Sequence, residues 1–234
     1  MINMIRKYAQ FRALLSDMDV KTDVPLKELT SFRIGGPAAF VVRPKTESEL
    51  CRALSAAEEA ELPLRILGNG TNVLAPDAGF PGLVLRLDAP FFPLLIDGCT
   101  VHAAAGESLA RAAHASVAAG LSGMEGLEGI PGTIGGACAM NAGAFGSEMK
   151  PILKRVRVYR GGEISDVTVR DEDLGHRRSV FAAPSAIVLR AELVLAPDDG
   201  HAAERTAEFS RRRREKRSDS PEQVTPFPRK YTRH

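Results

Sequence analysis

The stretch that decides the fold is Gly129-Ile130-Pro131-Gly132-Thr133-Ile134-Gly135-Gly136-Ala137-Cys138-Ala139-Met140-Asn141-Ala142-Gly143-Ala144-Phe145-Gly146. It is dense in glycine, yet it also carries isoleucine, methionine and phenylalanine, whereas flexible linkers are polar. Such a backbone predicts a buried segment pressed against a flat or extended ligand, because glycine lets other atoms approach the chain closely. A tightly packed series of turns inside a core is the alternative.

A second glycine-rich loop lies earlier in the chain, directly after a predicted strand at 64–67. It reads Gly68-Asn69-Gly70-Thr71-Asn72-Val73-Leu74. Successive amides in such a turn form a concave anion site, to which Thr71 and Asn72 add side-chain donors, so a pyrophosphate suits it. A tight turn whose glycines serve only geometry is equally compatible. The loop lacks the GK[ST] of a Walker A motif and does not open a helix as GxGxxG does, so a Rossmann fold is excluded.

The hydrophobic periodicity around these loops predicts a chain of alternating helices and strands. Thr46, with Glu49 three residues later, forms a capping box that starts one of the helices. The predicted helices cover 3–16, 47–60, 109–119 and 202–216, and the predicted strands cover 40–44, 64–67, 83–87, 100–104, 156–160 and 186–195. This order indicates one α/β unit over 1–88, a second over 89–200, a connecting helix over 201–216 and a tail over 217–234 without hydrophobic periodicity, which we expect to be disordered.

Composition excludes several classes of function. The net charge of +2 is too small to indicate nucleic-acid binding. The run Arg211–Arg214 is a possible basic patch, but it lacks interleaved aromatic residues and is better explained as a solvated helix face. No apolar run approaches the ~18–20 residues of a membrane helix, and no signal peptide is evident, so we expect a cytoplasmic protein without membrane insertion. Three scattered cysteines and five unpaired histidines predict neither a disulfide framework nor a metal site.

Three motifs occur in one order and together resemble the UDP-N-acetylenolpyruvoylglucosamine reductase family. They are 30–38 (Thr-Ser-Phe-Arg-Ile-Gly-Gly-Pro-Ala), 68–74 and 129–146, and the resemblance extends over about 20–216. It implies an α+β protein with two α/β subdomains of the vanillyl-alcohol-oxidase-type fold, which bind FAD non-covalently. The positions that it implies for cofactor binding are Gly68, Asn69, Gly70, Thr71, Asn72 and Val73 in the first loop and Gly132, Thr133, Gly135, Gly136, Asn141 and Gly143 in the second.

The resemblance also implies an activity. NADPH would reduce the flavin, which would pass a hydride to the enolpyruvyl group of UDP-N-acetylglucosamine enolpyruvate and yield UDP-N-acetylmuramate, a peptidoglycan precursor. A family motif, Tyr-Arg-x-Ser-x-Phe, matches residues 176–181 and gives Arg177 the catalytic role of polarising the substrate's enolpyruvyl carboxylate. Two departures are His176 in place of tyrosine and Phe145 in place of a frequent tyrosine.

The family's proton-donor serine motif and its C-terminal glutamate have no match in this sequence. From the resemblance we therefore expect a chain truncated before the substrate domain, with 217–234 as a disordered or aberrant tail and with activity in doubt. The alternative is an FAD-binding module without catalysis, either a truncated gene product or one that depends on a partner chain. The sequence leaves open the oligomeric state and the choice between NADPH and NADH.

Overall fold

The structure, a computed structural model, describes residues 2–182 and 186–218. Its helices are α1 (Ile2–Leu14), α2 (Glu47–Glu59), α3 (Leu109–Ala118), α4 (Ile134–Met140), α5 (Met149–Ile152) and α6 (Ala202–Ser218). Its strands are β1 (Val20–Pro25), β2 (Pro37–Val42), β3 (Leu64–Leu67), β4 (Phe80–Arg86), β5 (Leu95–Asp97), β6 (Thr100–Ala104), β7 (Leu121–Ser122), β8 (Gly143–Ala144), β9 (Ser147–Glu148), β10 (Leu153–Arg160), β11 (Glu163–Thr168), β12 (Leu174–Gly175), β13 (Arg178–Ser179), β14 (Ala186–Val194) and β15 (Ala196–Pro197).

The first sheet has the strand order β1-β2-β4-β3, in which β1 is antiparallel to β2 and the other neighbours are parallel. Helix α2 begins at Thr46, whose hydroxyl oxygen accepts a hydrogen bond from the Glu49 amide at 3.1 Å. It buries Leu50 against Phe40 of β2. Burial of side chains of this size contributes about 1.5–3 kcal/mol each. Because β2, β4 and β3 are parallel, their carboxyl ends lie at one edge of the sheet, and the first glycine-rich loop leaves from that edge.

The second sheet has the order β11-β10-β14-β6-β5 and is antiparallel throughout. One of its faces packs on α3 and α4 through fully buried residues such as Leu109, Ile134 and Val156. The hairpin between β10 and β11 turns at Gly161 and Gly162, whose φ angles are +58° and +91°. Positive φ at both positions is what a type I′ hairpin turn requires, and glycine adopts it without strain.

The two sheets share a core around α2. Tyr159 and Ile187, from the second sheet, lie in the same buried cluster as Leu50 and Phe40. At the edge of this cluster the Arg157 guanidinium donates to both carboxylate oxygens of Glu47, at 2.8 and 2.9 Å. Helix α2 therefore packs between the sheets and fixes how they are placed relative to each other.

Most of the predicted elements are confirmed, with differences of a few residues at their ends. The elements that the sequence did not predict include β1, β5, β11 and α4. Helix α6 continues through Arg217 and Ser218, where we expected the disordered tail to have begun, and the rest of that tail lies outside the described residues. The proposed domain boundaries stay a prediction. No helix within the described residues has both the length and the apolar character needed to cross a bilayer.

Candidate cofactor-binding site

The first glycine-rich loop presents a row of free backbone donors. It follows β3. The Gly70 carbonyl accepts a hydrogen bond from the Ser31 amide at 3.0 Å, which anchors the loop to the segment that precedes β2. Among the described residues, no acceptor is found for the backbone amides of residues 69–72. The side chains of Asn69 and Asn72 are exposed, while Val73 is half-buried and packs on Leu67 and its neighbours. Adjacent unengaged amides of this kind attract an anion.

The two glycine-rich loops are in direct contact. The Thr71 hydroxyl donates a hydrogen bond of 2.9 Å to the carbonyl oxygen of Pro131. A Cβ placed on Gly68 would lie 2.6 Å from the Thr133 hydroxyl oxygen. The structure thus brings together two motifs that the sequence singled out separately. The sequence predicted that the Thr71 hydroxyl donates to a ligand, whereas in the structure it donates to Pro131.

The second loop contains the short helix α4, which the sequence did not predict. Thr133 caps it by accepting a hydrogen bond from the Gly136 amide at 3.3 Å. The Ile134 amide donates to the Glu107 carbonyl at 2.9 Å, and the Gly135 amide donates to the Ala105 carbonyl at 2.8 Å. These first amides of the helix are therefore hydrogen-bonded within the protein. They are not available to a ligand, which could contact this part of the loop mainly through its surface shape.

The glycines assigned to the cofactor fall into two groups. At four of them an added Cβ would press on the protein: Gly68 at 2.6 Å from Thr133 Oγ1, Gly70 at 2.1 Å from the Leu29 carbonyl oxygen, Gly135 at 2.9 Å from Ala105 Cβ and Gly143 at 2.6 Å from Glu148 Cγ. At Gly132 and Gly136 the nearest atoms to an added Cβ are hydroxyl oxygens at 3.6 and 3.5 Å, although the φ of +150° at Gly132 would still strain a side chain there. The first group is required by packing, while the second leaves space in which a ligand can approach the backbone.

Asn141 ends α4 and holds the next part of the site. It is buried and adopts a left-handed conformation with φ +43°. Its side-chain amide donates to the Gly175 carbonyl at 2.9 Å, and its side-chain oxygen accepts from the Lys150 amide at 2.9 Å. Its side chain is therefore used within the protein, where it ties the second loop to the hairpin of β12 and β13.

Arg177 stands at the tip of that hairpin. Strands β12 and β13 pair Gly175 with Arg178, so His176 and Arg177 form a two-residue turn. Arg177 is exposed and has a left-handed φ of +50°. Within the described residues its side chain makes neither an ion pair nor a hydrogen bond. The guanidinium is thus presented outward on a turn that Asn141 ties to the second loop.

Helix α6 fixes the second loop from the other side, through contacts that the sequence did not reveal. Phe209 stacks on Phe145 with a ring separation of 5.0 Å, and the Arg213 guanidinium lies 5.3 Å from the same Phe145 ring. Arg205 donates to the buried Glu125 carboxylate at 2.8 Å. Burial alone would raise the pKa of Glu125, but hydrogen bonds from Arg205, from two backbone amides and from Ser122 outweigh it and lower this pKa.

The described residues do not indicate a reactive cysteine or a metal centre. Burial raises the pKa of the Cys138 thiol to about 12, so it does not act as a nucleophile. No group of three or more metal-ligating side chains is found in the described part of the chain. Two surface hollows of about 280 and 400 Å³ lie along β1, and neither glycine-rich loop lines them.

Comparisons with known proteins place the chain among similar sequences and structures. The FAD binding domain family matches residues 38–166. The chain is 41% identical over 189 residues to a UDP-N-acetylenolpyruvoylglucosamine reductase of Clostridioides difficile and 37% identical over 186 residues to that of Streptococcus mutans. These alignments cover 80% and 79% of the chain.

A solved structure is also similar. The UDP-N-acetylenolpyruvylglucosamine reductase of Thermus caldophilus matches with a TM-score of 0.72 and 34% identity, over 88% of this chain and 72% of that one. The predicted fold class, α+β with two α/β subdomains of the FAD-binding fold, is thereby confirmed. The chain spans about three fifths of the length of the curated relatives, 62% and 60% of the two named above.

Proposed function

Since the chain belongs to the UDP-N-acetylenolpyruvoylglucosamine reductase family, we propose that it binds FAD non-covalently where its two glycine-rich loops meet. We further propose that the bound flavin serves the NADPH-driven reduction of UDP-N-acetylglucosamine enolpyruvate to UDP-N-acetylmuramate. The single observation that carries the proposal is the hydrogen bond from Thr71 to Pro131, which joins the first glycine-rich loop to the second.

The residues present fit a dinucleotide of this kind. The free amides of 69–72 would hold the pyrophosphate, a group that successive backbone donors bind well. Gly132, next to Thr71, and Gly136 leave space above the backbone, which suits the close approach of a flat ring system or of the chain that links it to the phosphates. The remaining assigned glycines support the same site indirectly, because they let the two loops pack together.

When bound, FAD supplies a carrier that accepts a hydride from NADPH and delivers it to the substrate. Arg177 would bind the substrate's enolpyruvyl carboxylate, since a guanidinium offers a planar, permanently charged pair of donors. There it would stabilise the negative charge that develops next to the carboxylate during reduction. Asn141 supports this role by tying the Arg177 hairpin to the second loop at Gly175.

A second candidate is an FAD-binding module without turnover. The observation in its favour is the exposure of Arg177 together with that of the nearby apolar side chains of Met140 and Val180, which are 43% and 42% exposed. Hydride transfer benefits from a site that excludes water, and the described residues leave this face open.

The test begins with the visible absorption spectrum of the purified chain, recorded before and after FAD is added and the excess removed. A retained flavin spectrum is the expected result, and a colourless protein that does not bind added FAD would contradict the proposal. NADPH and then UDP-N-acetylglucosamine enolpyruvate are next added without oxygen. Bleaching by NADPH followed by reoxidation by the substrate supports the reductase, whereas retained flavin without reoxidation supports the binding module.

A further inference from the structure

The segment 30–36 runs alongside the first glycine-rich loop and is hydrogen-bonded to the loop at one end and to the residues just after the loop at the other. At one end the Ser31 amide donates to the Gly70 carbonyl at 3.0 Å. At the other end the Gly36 amide donates to the Pro76 carbonyl at 2.9 Å. Residues 32–34 therefore lie between these two anchors, opposite the part of the loop that follows Gly70.

Arg33 occupies the middle of this segment in a strained conformation. Its φ is +53°, a left-handed value that non-glycine residues rarely adopt. The turn is held by the Arg33 amide, which donates to the Thr30 carbonyl at 3.1 Å, and by the buried Thr30 hydroxyl, which lies 3.2 Å from the Ile34 carbonyl oxygen. Strain that the surrounding structure maintains in this way is found most often at binding sites.

The other arginines near the first loop already have partners within the protein. Arg86 and Arg43 both pair with Asp88 beneath the loop. Arg65 lies 5.3 Å from the centre of the Phe80 ring and donates to a backbone carbonyl. The Arg33 side chain is exposed and, among the described residues, has no ion pair or hydrogen bond.

We propose that Arg33 binds the diphosphate of the dinucleotide, as a charged partner to the amides of 69–72. The inference rests on the proposed function and adds to it a specific residue of the phosphate site. Backbone amides contribute only partial charges, whereas a diphosphate carries two full negative charges. A guanidinium gives a charge-assisted, two-point contact that completes the neutralisation. The left-handed turn at Arg33 sets the direction in which that side chain leaves the segment.

The test compares the full chain with Arg33→Gly. Glycine adopts the φ of position 33 readily, so this change removes the guanidinium without imposing strain on the turn. The matched control is Arg160→Gln, which removes one exposed charge where β10 meets its hairpin turn. FAD dissociation constants are measured by quenching of flavin fluorescence at several KCl concentrations, and melting temperatures report on folding.

We expect Arg33→Gly to weaken FAD binding by about ten- to a hundredfold, the factor that corresponds to loss of a hydrogen bond to a charged group. The dependence of FAD affinity on salt should also become shallower, because one charge pair is gone. Arg160→Gln should change neither quantity. Unchanged FAD affinity in Arg33→Gly, or weaker affinity with the parent's salt dependence, would overturn the inference alone. A parent chain that binds no FAD would overturn the proposed function and this inference together.

Discussion

The hydroxyl of Thr71 and the carbonyl oxygen of Pro131 are separated by 60 residues of sequence and by 2.9 Å in space. Their hydrogen bond connects the loop of the first sheet to the loop that precedes α4. The position of one loop therefore determines the position of the other, and a ligand that contacts both benefits from a site formed before it binds.

Removal of this hydrogen bond should weaken cofactor binding, because the two loops would no longer hold each other in place. Thr71→Val keeps the shape of the side chain and removes the donor, and one hydrogen bond of this type contributes about 0.5–1.5 kcal/mol. We expect FAD affinity to fall about threefold to tenfold, in proportion to that energy. Thr71→Ser, which retains the hydroxyl, should bind FAD nearly as the parent does. Equal behaviour of the two variants in an FAD titration would argue against a role for the bond.

Gly136→Ala tests whether the glycine at position 136 is required for folding or for ligand binding. The added Cβ would lie 3.5 Å from the nearest protein atom, Thr133 Oγ1, and alanine favours the helix by about 0.5–1 kcal/mol over glycine. We expect a melting temperature at least as high as that of the parent, together with FAD affinity reduced about tenfold by crowding.

The control for this change is Gly175→Ala, where the nearest protein atom would be 3.9 Å away. This glycine belongs to the Arg177 hairpin and is not assigned to the cofactor. It should accept the methyl group without loss of FAD binding. If Gly136→Ala retains full FAD affinity, the open space at α4 does not face the cofactor.

Gly70→Ala should lower the stability of the folded protein. A Cβ at this position would lie 2.1 Å from the Leu29 carbonyl oxygen, and the residue has a φ of +67°. Gly98 has a similar φ of +55° and no neighbour within 4 Å of an added Cβ, so Gly98→Ala measures the backbone strain alone. We expect Gly98→Ala to lower the free energy of unfolding by about 1–2 kcal/mol, the cost of a left-handed alanine, and Gly70→Ala to lower it further. Urea unfolding measures both, and equal losses would show that the loop can shift away from Leu29 without cost.

Arg177→Lys should affect catalysis and spare cofactor binding. The side chain is exposed and makes no contact within the described residues, so we expect an unchanged melting temperature and unchanged FAD affinity. A lysine retains the charge but loses the two-point contact with a carboxylate. In the FAD-loaded chain reduced by NADPH, we expect substrate-dependent flavin reoxidation to slow by about tenfold or more, as for loss of a charge-assisted bond. Reoxidation at the parent's rate would remove Arg177 from the proposed mechanism.

The buried Glu125 should make the attachment of α6 sensitive to acid. Its pKa in the folded protein lies below the ordinary value of 4.5, so its ionised form stabilises the fold. This contribution is complete above the unfolded-state pKa and is lost as the pH falls through the lower, folded-state pKa. At pH 7, Glu125→Gln should lower the free energy of unfolding by about 1–3 kcal/mol, because Arg205 loses a buried partner.

In acid the difference between the Glu125→Gln variant and the parent should shrink, since the parent's carboxylate is then protonated as well. Urea unfolding at pH 7 and at low pH measures this. Glu204→Gln on the exposed side of α6 is the control, and it should cost little at either pH because a solvent-exposed charge contributes little. A difference that stays constant with pH would show that the charge of Glu125 is not what matters.

The parts of the fold that the sequence predicts are those in which local signals agree with the final structure. Thr46 and Glu49 predict the start of α2. The mostly apolar stretch 64–67, followed by glycines, predicts both β3 and the first loop. The edge strand β11 was missed because its side chains are mostly exposed and show no apolar alternation.

The second loop shows why the rest could not be predicted. Gly135 and Gly136 both lie in α4, although glycine disfavours a helix by about 1 kcal/mol. The helix forms because Thr133 caps it and because residues 105–107 accept its first amides, contacts made only in the folded chain. Likewise, the sequence could not show that the Asn141 side chain is used internally or that Phe209 stacks on Phe145. A motif assigns such positions to a site without saying which of their atoms are free to bind a ligand.

The core shared around α2 has a consequence for how a flavin could leave. To move the two sheets apart would expose Leu50 and Phe40 on one side and Ile187 on the other, all of them buried, and would break the pair between Arg157 and Glu47. An opening of that kind approaches the cost of unfolding the whole chain. At the proposed site, cofactor exchange would therefore proceed through local movement of the glycine-rich loops, and the hydrogen bond between Thr71 and Pro131 would help to set the residence time of the flavin.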